Sequence, residues 1–332
     1  MLERSSLYVD FWGRSLHLVW FRAGHFNRER LGFYQGQPEA GYHTLMRRTP
    51  KMRRILKIIS PIQISPISYN EVNRTMPVDQ KNANLGSKWV KTQILLSSPE
   101  LSRYVPDTSL FSYANLASML NKHQMVYVKP DKGSAGRGII RVSRGKISRY
   151  WMRSGTKQLR FNSFDEMFIA LNAHKLSGIY IIQAGIKLLR LRNRLTDIRI
   201  VIQRNEQNKW EFTGIIGRLA HPRKIVTNYH AGGKALPMKA LLSPFIKQRA
   251  DRIEFTARLK ELSFKAAHEF NKTNPRFKEL GVDIGLDASL HPWILEVNTK
   301  PNSIIFKQLK DKTMFRRMLE LKRFHGLINP NP

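Results

Sequence analysis

The segment from Gly281 to Asn298, GVDIGLDASLHPWILEVN, constrains the fold more than any other stretch of the chain. Side chains alternate faces along a strand. Val282, Ile284 and Leu286 therefore share an apolar face with Trp293, Leu295 and Val297, and the alternate positions carry Asp283, Asp287, Glu296 and Asn298. A turn centred on Ser289-Leu290 sets Asp283 opposite Glu296, with Asn298 two residues on and on the same face. Two carboxylates and a carboxamide then converge above an apolar base. Hard oxygen donors of this kind suit Mg²⁺ or Mn²⁺ with a phosphate completing the shell. The pattern also describes a half-buried hairpin with a solvated acidic face, so the upstream sequence has to decide.

The chain is long enough for two domains, and at 42% hydrophobic residues it can build a core. Fifty-seven Lys and Arg against twenty-four Asp and Glu give a net charge of +33, spread along the chain rather than held in a tail. Such a charge attracts polyanions: nucleic acid, an anionic polymer or surface, or acidic proteins. The absence of cysteine excludes disulfides, thiolate zinc sites and cysteine nucleophiles. No apolar run approaches the roughly 20 residues needed to span a bilayer, and the first residues lack a secretory h-region. A cytoplasmic location is the default expectation.

Residues 1–85 read as a small, mostly β N-terminal domain and linker. Tyr8 and Asp10, then Leu16, Leu18 and Trp20, fit short strands, Ile55 to Ile67 fits a further strand or two, and residues 73–86 form the linker. Residues 86–325 form the main domain. Helices are expected over 87–97, 110–121, 164–173 and 249–271, and a basic helix from Ile305 to Phe324. Strands are expected over 125–130, 138–142, 179–183, 198–203 and 210–219, followed by the hairpin 281–298.

Three further motifs carry chemistry. Val126 to Ile140 is a strand, a lysine at Lys129, and a glycine-rich turn (131–138) before a second strand. Gly133, Gly136 and Gly138 free the backbone, with Ser134 and Ala135, to bring N–H groups to phosphate oxygens. The order of lysine and glycines matches neither a Walker A loop nor a kinase loop. Asp197 and Arg199 share a strand face opposite Ile198, Ile200 and Ile202, and Arg218 ends the next apolar run. An arginine fork suits a phosphoryl group or an acyl phosphate. Asn228, Gly232 and Gly233 belong to a loop that suits a position over a substrate.

The order of these pieces resembles the ATP-grasp superfamily, in particular amino-acid ligases of the glutathione synthetase kind. Val128-Lys-Pro, Asp197-Ile-Arg, Ile225-Val-Thr-Asn with Gly232-Gly, and Trp293-Ile-Leu-Glu-Val-Asn are closest to the YheC/YheD family of endospore coat-associated ATP-grasp proteins. The resemblance covers about residues 86–310. It implies an α+β ATP-grasp fold, two α/β subdomains clasping ATP, behind the small β domain. It implies that Lys88 and Lys129 contact nucleotide phosphates and that the loop from Gly133 to Gly138 covers the β- and γ-phosphates. A hinge over Gln183, Ala184 and Ile186 reads adenine through its backbone. By the same resemblance Asp283, Glu296 and Asn298 hold Mg²⁺, and Arg199 and Arg218 stabilise the transferring phosphoryl group. Two departures stand out: Ala184 where related ligases usually carry an acid, and no acid in Lys187-Leu-Leu-Arg190 for the ribose.

The expected activity is an ATP- and Mg-dependent carboxylate–amine ligase that passes through an acyl phosphate, located in the cytoplasm or the spore coat. Its substrates would be an unspecified carboxylate and amine, one of them an acidic peptide or protein given the charge, beside spore-coat partners. The competing readings are an inactive ATP-grasp scaffold for acidic coat proteins and, lowest, a polyanion or nucleic-acid binder. No nucleic-acid motif supports the last.

Overall fold

A computed structural model of the chain describes residues 7–12, 15–22 and 25–31 as backbone, and 85–145, 149–222, 225, 227 and 232–329 in full. The chain divides into two compact units, Met1–Thr75 and Met76–Pro332. In the first, β1 (Leu7–Trp12), β2 (Ser15–Arg22) and β3 (His25–Leu31) form an antiparallel meander. Leu7 pairs with Trp20, and Leu16 with Leu31. The strands expected within Ile55 to Ile67, and residues 73–84 of the expected linker, lie outside the described residues.

The second unit holds two six-stranded sheets. It opens with helices α1 (Lys88–Leu96) and α2 (Pro99–Ser102). The first sheet is built from β4 (Thr108–Leu110), β5 (Met125–Pro130), β6 (Ile140–Arg144), β7 (Tyr150–Ser154), β8 (Lys157–Phe161) and β9 (Tyr180–Ala184), in the order β4-β9-β5-β6-β7-β8. Val126, Val128, Ile140, Val142 and Met152 fill one face. Against them pack Leu116, Met119 and Leu120 of α3 (Tyr113–His123) and Met167 and Leu171 of α4 (Phe164–His174). Ser87, Ser98, Ser112 and Ser163 each accept a hydrogen bond from a first-turn N–H and so start α1, α2, α3 and α4.

The second sheet has the order β13-β12-β11-β14-β15, with β10 (Arg190–Leu191) pairing β11. Its strands are β11 (Arg194–Arg204), β12 (Trp210–Leu219), β13 (Lys234–Leu236), β14 (Glu279–Leu286) and β15 (Pro292–Asn298). Between β13 and β14 run α5 (Met238–Leu242) and the long α6 (Arg249–Thr273). Ile198, Ile200, Ile202, Val282 and Ile284 are fully buried against Phe255, Leu259, Leu262, Ala266 and Phe270 of α6. The opposite face is divided. Val201 and Ile216 lie under Phe306 and Met318 of the C-terminal helices, and the remaining end carries charged side chains.

Three expectations needed correction. Asp283 does face Glu296, and Gly281 faces Asn298, but the register shifts after Asp283, where Ile284 pairs with Ile294. This β-bulge puts Ile294 with Val297 in the core, rather than Trp293 and Leu295. Leu295 is displaced towards the same side as Glu296, and the two line the same compartments of a cleft. The basic helix expected from Ile305 to Phe324 is broken. A 3₁₀ turn, Ile304–Gln308, gives way to extended backbone at Leu309, and Asp311 accepts hydrogen bonds from Thr313 N and Oγ1 where α7 (Thr313–Phe324) begins. β7 and β8 were not anticipated: the first four residues of β8 are exposed, and Leu159 and Phe161 alone are apolar in it, too short an alternation to mark a strand.

Candidate active site

The charged end of the second sheet owes its composition to strand register. Asp197 pairs with Arg218 across β11 and β12, and Arg199 pairs with Asp283 across β11 and β14. The isoleucines between them point into the core, so these four side chains must project from the other face. They interlock. Arg218 grips Asp197 through Nε (2.7 Å) and Nη2 (2.6 Å). Arg199 grips Asp283 through Nε and through Nη2 at 2.9 Å. Arg218 Nη2 lies 3.2 Å from Asp283 Oδ2, which joins the pairs into a chain. Thr227 donates to Asp197, and Asn298 Nδ2 donates to Asp283 at 3.3 Å. All four charged groups are more than 90% buried. Burial pushes the Asp283 carboxyl up, but the charges of Arg199 and Arg218 outweigh it and hold it below the usual carboxylate range. Burial lowers the Arg218 pKa; Asp197 and Asp283 raise it by more.

Facing this network is the glycine loop. Asp131 fastens its base to the start of α1, where Oδ1 accepts from Ser87 Oγ and Trp89 N, both at 2.8 Å. Lys88 is thereby placed beside the loop, and its Nζ donates to Gly133 O at 2.8 Å and lies 3.7 Å from Glu296 Oε1. Gly133, Gly136 and Gly138 all have positive φ, as does Ala135. At Gly138 a Cβ would also lie 2.8 Å from Pro130 Cγ and 3.0 Å from the Tyr180 hydroxyl, so the loop closes on its own sheet only with glycine there. One compartment of the cleft is lined by Lys88, Gly133, Ser134, Ala135, Gly136, Arg199, Arg218, Glu296 and Asn298. Residues 79–322 match the family model described as YheC/D like ATP-grasp.

The chain belongs to the YheC/D-like ATP-grasp family. Endospore coat-associated protein YheD of Bacillus subtilis (strain 168) is 26% identical over 234 residues, 68% of this chain and 50% of that protein. YheC of the same organism is 24% identical over 220 residues, 65% of this chain and 60% of that protein. The chain thus spans between half and three fifths of the curated relatives it matches. D-cycloserine synthetase DcsG aligns with a TM-score of 0.46 at 12% identity, over 71% of this chain and 69% of that one. N5-carboxyaminoimidazole synthetase from Staphylococcus aureus complexed with ADP aligns at 0.43 and 12%, over 66% and 45%. The fold is the α+β ATP-grasp fold.

In this YheC/D-like protein the segment expected to act as the hinge borders a mainly apolar slot. Ala184, Ile186, Leu188, Leu195 and Leu295 line it together with Tyr127 and Lys129. The N–H groups of Ala184 and Gly185 already donate to Asp107 O and Met125 O, both at 2.8 Å. Gln183, at the end of β9, accepts from Lys129 Nζ. Burial, together with the neighbouring Lys88 charge, lowers the Lys129 pKa to about 8 against the opposing pull of Glu296 and Asp283. Gly232 is exposed and Gly233 buried, and neither is among the residues lining the three compartments. Asn228 lies outside the described residues.

Oxygen atoms of the kind a divalent cation takes as ligands line the cleft. Glu296, with about a quarter of its side chain exposed, and Asn298 face the cleft; Asp283 gives both oxygens to Arg199. No group of three His, Cys, Asp or Glu suited to a metal occurs among the described residues. A site with one or two carboxylates, an amide oxygen and phosphate oxygens suits Mg²⁺, which keeps few protein ligands.

Two residues of the site were not singled out from sequence. Asp131 sits 44 positions from its partner Ser87, and no local pattern connects them. Lys91, one helical turn after Lys88, is buried and lines a second compartment with Lys88, Lys129 and Glu296. Burial lowers its pKa, while the charge of Glu296 works in the other direction. The i, i+3 spacing of Lys88 and Lys91 on α1 was the available signal.

Proposed function

We propose that the protein is an ATP- and Mg²⁺-dependent carboxylate–amine ligase that works through an acyl phosphate, in association with the spore coat. The observation that carries this reading is a single cleft in which Lys88, the glycine loop, Glu296 and Asn298 meet two arginines already fixed in place by buried carboxylates. The coat association follows the names of the relatives YheD and YheC.

In this mechanism Lys88, Lys129 and the loop N–H groups bind the triphosphate, and the apolar slot beside the hinge receives the base. A carboxylate oxygen of the substrate attacks the γ-phosphorus. The bond to the β-phosphate oxygen breaks, leaving ADP and an acyl phosphate. An amine nitrogen then attacks the acyl carbon, sheds a proton to solvent, and expels inorganic phosphate. Glu296 and Asn298 would hold Mg²⁺ directly, with Asp283 fixing the arginines beside them. The ion would supply charge neutralisation across the phosphates. Arg199 and Arg218 offer N–H groups to the charge that builds on the transferring group. Because Asp197 and Asp283 hold them in advance, no reorganisation is needed during the reaction.

The decisive test follows an oxygen atom. Candidate carboxylates labelled with ¹⁸O are incubated with Mg-ATP and amines, and ¹⁸O in the released phosphate is measured. Transfer of one label per turnover is expected. ADP release with unlabelled phosphate would mean simple ATP hydrolysis, and ATP binding without turnover on a broad panel would favour the scaffold reading.

Lys129 makes a second expectation. In the free protein its ammonium is half deprotonated near pH 8. Bound phosphates raise that pKa, so binding takes up protons as pH passes through this region and weakens above it. Calorimetry at pH 8 in buffers of different ionisation enthalpy should show uptake of about half a proton. Lys129→Met should abolish the uptake, and an unchanged uptake in the variant would assign it elsewhere.

A further inference from the structure

The first sheet carries a row of arginines that the mechanism leaves unused. Val126, Val128, Ile140, Val142 and Met152 fill its helix-covered face, so Tyr127, Arg141 and Arg153 stand on the other. They are neighbours in register: Tyr127 pairs with Arg141 across β5 and β6, and Arg141 with Arg153 across β6 and β7. Both arginines are half-buried, and like charges directly opposite each other repel. Arg190 of β10 brings a third guanidinium, steadied by its Nη1, which donates to Asn193 O at 2.8 Å. Burial raises the Tyr127 pKa, while the charges of Arg141, Arg190 and Arg153 pull it down, so all three act on one hydroxyl.

Among the described residues no carboxylate pairs with Arg141 or Arg190. Strands β5 to β8 contain no Asp or Glu. Residues 85–184 hold five carboxylates, and each is engaged elsewhere. Glu100 pairs with Lys265, and Asp107 with Lys122 and His123. Asp131 accepts from Ser87 and Trp89, and its charge acts on Lys91. Asp165 accepts from the Tyr113 hydroxyl and Glu166 from Asn162 N, both on α4, which packs on the opposite face. From the second sheet Asp197, Asp283 and Glu296 share the slot with Tyr127. The first two are gripped by Arg218 and Arg199, and the third lies by Lys88. Arg141 Nε is meanwhile buried without a hydrogen-bond acceptor among the described residues, which calls for an acceptor from outside the chain.

We propose that Arg141, Arg190 and the Tyr127 hydroxyl, with Arg153 beside Arg141, bind a phosphoryl-type oxyanion at a site separate from that of the nucleotide triphosphate. Guanidinium forks suit a tetrahedral group with several acceptor oxygens, and a phenol beside them has an O–H to donate. The sheet sets the place. Tyr127 lies two residues before Lys129, about 7 Å back along β5 from the end that carries the glycine loop. None of the three arginines lines any of the three compartments of the cleft, whereas Tyr127 is a wall of the apolar one. The oxyanion belongs either to a separate phosphate-bearing molecule or to the sugar of the nucleotide; the second source rests on the reading of the slot as the base site. The site itself needs neither turnover nor metal.

The test is calorimetry on the full chain, saturated with Mg²⁺ and a non-hydrolysable ATP analogue that fills the triphosphate site. Inorganic phosphate is titrated at constant ionic strength. Saturable binding is expected, weakened at least about tenfold in Arg141→Gln and in Arg190→Gln, with affinity for the analogue changed less than about threefold. Arg160→Gln removes the same charge from an exposed position of β8 and should leave phosphate binding within about twofold. In phosphate-free buffer Arg141→Gln should melt no lower than the parent, because it relieves the repulsion with Arg153, and phosphate should raise the melting temperature of the parent alone. Adenosine 2′,5′-bisphosphate against AMP, without the analogue, separates the sources. A preference of at least about tenfold that Arg141→Gln abolishes assigns the oxyanion to the nucleotide sugar. Phosphate binding beside the analogue without that preference assigns it to a separate molecule. Absence of both overturns the inference. So does equal weakening in Arg160→Gln, a parallel loss of analogue affinity in Arg141→Gln, or a lower melting temperature of Arg141→Gln in phosphate-free buffer.

Discussion

Replacing Glu296 by Gln is expected to abolish substrate-dependent ADP formation, by about 10³-fold or more, in a protein that stays folded. Both halves of this expectation come from the environment of the side chain. Glu296 is only part-buried, and its one described ionic contact is Lys88 Nζ at 3.7 Å. Contacts of that kind contribute about 0–1 kcal/mol, so the thermal midpoint should barely move. Glutamine keeps the shape but gives up the charge that faces the cleft between Lys88 and the glycine loop. Nucleotide binding measured without Mg²⁺ should therefore persist, while its enhancement by Mg²⁺ is lost. A variant with more than a tenth of the parent activity would show that Glu296 is not the metal carboxylate. A variant that unfolds would mean that its anion serves the three lysines structurally, and Lys88→Met in the same background should then restore the fold.

Much of this site could be read from the chain because it is built on strands, where alternation carries the information. The pairing of Asp283 with Glu296 followed from placing the turn at Ser289-Leu290, and the structure has that pair. The isoleucines of β11 announced their own face, and so fixed the opposite face for Asp197 and Arg199. What escaped was whatever depends on contact between distant segments or on local irregularity. The bulge after Asp283 transfers Leu295 from the core to the cleft, and Gly285, next to the register shift, was a local signal for it that the alternation pattern passed over. Asp131 matters because α1 docks on the glycine loop, 44 residues away. β8 was invisible because its side chains bury almost nothing. The interlock of Arg199 and Arg218 with two aspartates also went unread. Sequence gives the residue types but not the register of β11 against both β12 and β14, and that register is what sets each arginine opposite a carboxylate.

That interlock makes the second large expectation. Asp283→Asn should cost about 3–5 kcal/mol of stability, read by chemical denaturation. The buried pairs themselves add little net stability, since desolvation offsets their attraction. Removing one partner is different, because it leaves a guanidinium buried without its counterion. Asp283 serves two, Arg199 through a two-point grip and Arg218 through Oδ2, and an amide can accept from one of them but repels the other with its NH₂. Asp197→Asn should cost a similar amount, since it holds Arg218 at 2.7 and 2.6 Å. The double variant should fall short of the sum, because both changes strike the same Arg218. The pH dependence separates charge from packing. The folded Asp283 carboxyl has a depressed pKa, so its contribution is complete above the ordinary aspartate value near 3.8 and is lost as pH falls through the lower folded value. The stability gap between parent and Asp283→Asn should accordingly be constant above about pH 5 and narrow on further acidification. A loss under about 1 kcal/mol, or a gap indifferent to acid, would mean that the guanidiniums reach water once released. The carboxylates would then not be what holds Arg199 and Arg218 ready for the phosphoryl group.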